Sequence, residues 1–255
     1  MTLPKNKQPK QSSSAVDNCL GVYYNKLICS IGKSAQTPTH LYTPKGSSKM
    51  LHCEQQPYNS IWIWADSQDE LGLTFMRPQE HYESANKKFR NNIFTVGQLR
   101  NWYSETYGSN SYHIHWMGFN FPSKVLRPFK DGMFDPLTSE EQGLLNLLKY
   151  RNDDFYIIGA QNKSVLRHEL AHALYASNVN YKKEIDNFIN QNKKQLTKIV
   201  KYILDKGYCK EVLNDELQAY ITDNDDAEII NNLCPSIISG INKIYNKYNK
   251  AKVKK

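Results

Sequence analysis

Residues 165–174 read Val-Leu-Arg-His-Glu-Leu-Ala-His-Ala-Leu, and His168, Glu169 and His172 within them form the pattern H-E-x-x-H. On a helix, residues four apart share a face with Cβ atoms about 5–6 Å apart, so the two imidazoles can converge on one cation. Zn²⁺ accepts imidazole nitrogen at about 2.0–2.1 Å, a geometry this spacing allows. Glu169 follows His168 at about 100° round the helix axis, beside the open position of such a metal. There its carboxylate can take a proton from an activated water. Two nitrogen ligands and an adjacent base are the parts of metal-assisted hydrolysis.

The residues around the motif narrow the reading. Val165, Leu166, Leu170, Ala171, Ala173 and Leu174 are all uncharged, as expected of a helix buried on its other faces. Arg167 is the one charged neighbour. In this pattern the chain resembles the zincin metallopeptidases, which surround H-E-x-x-H with uncharged and apolar residues and tolerate any residue at the position of Arg167. The resemblance covers the motif helix and a segment downstream, and does not reach the first half of the chain. It implies a zincin-like fold, Zn²⁺ as cofactor, a peptide or protein substrate, and Glu169 as general base.

A catalytic zinc usually takes three protein ligands. The metzincin extension needs Gly and His where this chain has Tyr175 and Asn178, which excludes that subclass. The gluzincin solution is a Glu on a later helix, with Glu184, Glu211, Glu216 and Glu228 as candidates. Glu216 is favoured, because apolar Leu213, Leu217, Tyr220 and Ile221 flank it and turn it inward. Gluzincins place a supporting Asp four residues after that Glu; here the position is Tyr220, so Asp223 and Asp215 become the candidates to orient a histidine ring. Tyr220 stands with Glu169 as a catalytic residue, with Tyr175, Tyr156, His113 and His115 as rivals for stabilising the oxyanion. His113 and His115, two apart on an expected strand, also have a metal-ligand spacing.

Length and composition bound the class. The 255 residues suffice for one large domain or two small ones. The expected organisation is a disordered tail over 1–18, one domain over 19–250 with a sheet-rich half (19–160) and a helical half (161–250), and a basic tail over 251–255. The net charge of +8 concentrates in lysines near the two ends. Such ends are read as solvated, with no specific nucleic-acid partner. No apolar run is long enough for a membrane span, and the first twenty residues lack the apolar core of a Sec signal peptide. Five cysteines without a C-x-x-C pair fit reduced thiols, hence a cytoplasmic protein or one exported without a cleaved signal.

Hydrophobic spacing places the elements. Strands are expected near Leu20–Ile31, at Ser60–Ala65 with Ile61 and Ile63 facing opposite to Trp62 and Trp64, at Leu71–Met76, at Tyr112–Phe119 and at Asp154–Ile158. Phe155–Ile158 is either an edge that an extended substrate can pair with or an interior strand. Capping boxes at Thr95–Gln98 and Thr138–Glu141 open two helices, the first ending near Gly108. Residues 120–137 read as loop. Ser164 can cap the motif helix. Beyond Asn178 the apolar spacing predicts helix as far as Gly207, then helices near Glu211–Thr222 and Ala227–Tyr248, the last interrupted by Pro235. Strands first and helices after give an α+β fold. Two rival functions remain: a metal-dependent hydrolase of a non-peptide bond, and a non-catalytic zincin-fold binding or effector module.

Overall fold

Trp62 and Trp64 do stand opposite Ile61 and Ile63, and the sheet that results has a distinct core on each side. The computed structural model describes residues 51–249 apart from 85, 110, 113–115, 152, 206, 207, 209, 224–229 and 231. The expectations for both tails, for Leu20–Ile31, and for His113, His115, Gly207 and Glu228 therefore lie outside the described residues. The architecture is α+β, with a four-stranded mixed sheet: β1 (His52–Gln56), β2 (Ser60–Trp64), β3 (Gly118–Pro122) and β4 (Tyr156–Ala160) lie in the order β1-β2-β4-β3. β1 and β2 form a hairpin whose connection puts Tyr58 and Asn59 at positive φ. β4 runs parallel to β2 and antiparallel to β3.

Two sequence expectations for strands are corrected. Leu71–Met76 lies inside a helix, α1 (Gln68–Glu83). Ser67 accepts a hydrogen bond from the Glu70 N–H, Asp69 and Glu70 complement the helix start, and Leu71 and Phe75 come together one turn apart in the core. Those capping residues outweigh the strand-like composition of the apolar run. The strand expected at Tyr112–Phe119 instead begins at Gly118 and extends into the stretch read as loop, which also holds helical turns at Ser123–Leu126 and Arg127–Lys130. Phe119 and Phe121 face one side of β3, Phe119 stacked on Phe75 of α1 and Phe121 tilted against it, which leaves Gly118 and Asn120 on the other side.

Both capping boxes are formed, opening α2 (Val96–Tyr107), which ends at Gly108, and α3 (Ser139–Leu147). α1 and α3 are tied by a fully buried ion pair. Glu141 takes both Nε and Nη2 of Arg77, which also donates to the Phe134 carbonyl and lies over the Phe129 and Phe134 rings.

The motif helix, α4 (Lys163–Ser177), is capped by Asn162 rather than Ser164; the Asn162 side chain accepts from the N–H groups of Ser164 and Val165. The expected long helix after Asn178 is two, α5 (Val179–Gln191) and α6 (Thr197–Asp205). Asn192 breaks it by turning its amide onto the Phe188 carbonyl, the kind of local bond by which Asn competes with helix continuation. α7 (Leu213–Asp223) and α8 (Pro235–Tyr248) follow, α8 with Pro235 in its first turn.

The motif helix is enclosed between two layers. Leu166 and Ala173 pack on Trp62, Tyr156, Ile158 and Ala160 of the sheet. Ala171, Leu174 and Tyr175 turn the other way, into a core shared with α5 to α8. The apolar flanks of H-E-x-x-H therefore anchor it on both sides and hold its polar face in a fixed place.

Candidate metal centre

α4 and α7 cross so that the ring nitrogens of one meet the acids of the other. The Nε2 atoms of His168 and His172 are 3.2 Å apart, and Glu216 Oε1 is 3.8 Å from His172 Nε2. Two donors bound tetrahedrally to zinc should stand about 3.3 Å apart, from the usual bond lengths, so the pair of imidazoles already has that separation. Among the described residues, His168, His172 and Glu216 are the group of three or more that can share an ion, with their donor atoms all within 4.8 Å of one another. Glu216 is buried, and its Oε2 has no hydrogen-bond partner. A buried carboxylate oxygen left unbonded is costly, and a cation between it and the two imidazoles would satisfy it. The donor set, two nitrogens and one carboxylate, suits zinc.

Asp215 supplies the orienting contact. Its Oδ1 lies 2.9 Å from His172 Nδ1, which turns Nε2 toward the cluster. Gln218, wholly buried, donates to the same Oδ1 at 3.1 Å and accepts from the Tyr181 hydroxyl at 2.6 Å. Asp223, the other candidate, sits 3.4 Å from Arg167 Nε. Of the alternative ligands, Glu184 accepts from Lys247 and Tyr248, and Glu211 is exposed.

Glu169 is held from the sheet. The Asn120 amide donates to its Oε2 at 2.6 Å, while Asn120 Oδ1 accepts from the Tyr156 hydroxyl at 2.5 Å. Gly118 makes this approach possible: a Cβ there would lie 2.1 Å from Glu169 Oε1 and 2.8 Å from a Val165 methyl. Neither Gly118 nor Asn120 stood out in the sequence. The signal available was the alternation around Phe119 and Phe121, which sends Gly118 and Asn120 to the α4 side.

Of the two readings of Phe155–Ile158, the structure has the interior strand and not the substrate edge, because β4 is paired on both sides. β3 is the outer strand beside α4. Its Asn120 N–H is taken by Gln79 Oε1 at 3.1 Å, so α1 occupies part of that edge. What opens at the cluster is a cleft of about 180 Å³. Tyr82, Glu83 and Arg90 form one wall, and Asn120 and Tyr156 line it from the sheet. His172, Asp215 and Glu216 line it from α4 and α7. Of the residues considered for the oxyanion, Tyr156 thus faces the cleft, Tyr220 packs its ring edge-on against His168, and Tyr175 bonds Asp186.

The electrostatics reflect crowded acids. Burial pushes the Glu216 carboxyl up to about 8, against the charge of His172, which favours ionisation. Burial likewise raises Glu169 to about 7, opposed by His172 and by the Asn120 hydrogen bond. Glu83, at the end of α1, is raised to about 7 by burial, with His172 and its bond to Gln79 acting the other way. Burial also works against a charged His172, but Asp215, Glu216 and Glu169 outweigh it and hold its pKa well above the ordinary value. Charge of one sign is concentrated here beyond what a single imidazolium can balance.

No family model, no curated protein and no solved structure matches this chain.

Proposed function

We propose that the chain is a zinc-dependent metallopeptidase of the zincin type, with His168, His172 and Glu216 as ligands. The observation that carries this reading is the convergence of both Nε2 atoms and the unsatisfied Glu216 carboxylate, with Glu169 buried beside them. Bound there, zinc supplies Lewis-acid polarisation and lowers the pKa of a water towards about 7.

The chain's own residues divide the remaining work. Glu169 takes the proton of the attacking water and returns it to the nitrogen of the leaving amine. Asn120 fixes Glu169 Oε2, so the carboxylate meets the water in one orientation. Asp215 holds His172 in the tautomer that leaves Nε2 free to bind. Tyr82 and Tyr156 bring hydroxyls to the cleft wall, and Tyr156 can support the developing oxyanion by turning its O–H from Asn120 Oδ1 toward it.

The test is a cleavage screen of the zinc-loaded chain on a mixed peptide library, with Glu169→Gln as control. Cleavage by wild type, reduced by at least about a hundredfold in Glu169→Gln while zinc stays bound, is the expected result. Equal cleavage by both proteins would remove Glu169 from the chemistry.

A further inference from the structure

An extended peptide is held beside a sheet by main-chain hydrogen bonds at alternate residues, so the receiving strand must offer backbone groups along its outer side. β3 is the strand in that position, being outermost in the described sheet and carrying Asn120 to Glu169. Side chains of α1 take up its outer side. Gln79 Oε1 accepts from the Asn120 N–H at 3.1 Å, and the Gln68 amide donates to the carbonyl of Trp116, just before the strand. The two glutamines stand about 16 Å apart along the helix, and the backbone groups they meet about 13 Å apart in an extended chain. α1 therefore runs lengthwise beside β3. A side-chain amide carries the same donor and acceptor as a peptide group, so the glutamines stand where a paired strand would. Covering an edge in this way keeps it from pairing with another chain.

Gln79 is firmly held. It is buried, and its Nε2 donates to Glu83 Oε1 one turn on, so both ends of its amide are engaged. α1 itself is fixed by Phe75 against Phe119 and Phe121 and by the buried Arg77–Glu141 pair. The space left beside the cluster agrees with a closed edge. The cleft of about 180 Å³ is room for about six waters, which suits one residue and not a strand running through. Tyr82 and Glu83, from the end of the same helix, form its wall.

Resting on the metallopeptidase reading, we propose that Gln68 and Gln79 close the outer edge of β3 and make the chain an exopeptidase, which takes a peptide by its end. Each cycle adds one water across the terminal peptide bond. Its oxygen and one hydrogen go to the acyl carbon, and the other proton passes through Glu169 to the departing nitrogen. The products are one amino acid and a peptide one residue shorter.

The test uses the zinc-loaded full chain in two measurements. Calorimetry compares 4-methylpentanohydroxamate, whose head group binds zinc, with two longer hydroxamates. Acetyl-alanyl-alanyl-leucine hydroxamate extends to one side of the head group, and a hydroxamoyl-succinyl-alanyl-alanine amide to the other. Neither should gain as much as about tenfold over the short probe; a gain of that size in either shows strand pairing and overturns the proposal. With Gln68→Ala and Gln79→Ala combined, the longer probes should gain at least about fivefold while the short one binds as before, and an unchanged ratio overturns the role of the glutamines. Should that variant fail to fold, wild type still decides. In the second measurement, a library of linear decapeptides is sampled early by mass spectrometry. Free amino acids and nonapeptides are expected. Fragments cut at internal bonds overturn the proposal and leave the metallopeptidase reading standing. A zinc-loaded chain that cuts no peptide of the library removes that reading instead.

Discussion

Asp215 and Asp223 stand at the two ends of α7, and the acid nearer Glu216 is the one on the His172 ring. That contact sets which nitrogen of His172 faces the cluster, and Gln218 and Tyr181 in turn fix Asp215. Replacing Asp215 by Asn keeps the shape but removes the charge that favours the Nδ1–H tautomer. Zinc affinity, read by competition with a chelator, should fall by about 10–100-fold. A change of less than about twofold would mean that His172 needs no orienting acid. The ligands themselves were legible in the sequence. Helical spacing alone pairs His168 with His172, and the apolar neighbours of Glu216 mark it as inward-facing. Asn120, Gly118 and Glu83 were not legible, because they come from a strand and a helix end whose positions only the packed sheet fixes.

Among the elements, α1 departs furthest from the sequence expectation and is also the one that closes the cleft. Its central residues favour a strand, yet Ser67 caps it and Phe75 packs on β3 and against Gly159 of β4, where a Cβ would lie 2.9 Å from the ring. Glu141 was legible as the third helical residue of a capping box, and the box is formed. Its second role, facing Arg77 in the core, was invisible because ion pairing between α1 and α3 leaves no local pattern. Glu141→Gln leaves Arg77 buried without a counter-charge and should cost about 3–5 kcal/mol in urea unfolding. A cost below about 1 kcal/mol would mean the pair adds nothing beyond packing. The α+β outline was readable from the order of strands and helices. The mixed sheet order was not, and the sequence left the place of β4 open between edge and interior, since pairing between distant strands leaves no local pattern.

Across the whole molecule, the crowded acids make stability depend on pH. Glu83 and Glu169, raised to about 7, and Glu216, raised to about 8, keep protons that an unfolded chain with ordinary values near 4.5 has released. His172, also raised, keeps its proton to higher pH than an unfolded histidine. The folded, metal-free chain therefore binds more protons than the unfolded one across this range, and its stability falls as pH rises from about 5 to 8. Zinc should reverse that trend, because its charge replaces the protons. Urea unfolding at pH 5, 6.5 and 8, with chelator and with zinc, should show the gap between the two series widening with pH. A metal-free chain that gains stability over the same range would contradict this charge balance. The central claim, that α4 and α7 together hold one zinc, is tested most directly by the metal content of purified, zinc-supplied protein. Wild type should carry about one zinc per chain, and His172→Ala and Glu216→Ala should each lose it. Zinc retained in full by Glu216→Ala would break the link between the two helices, and no zinc in wild type would contradict the centre altogether.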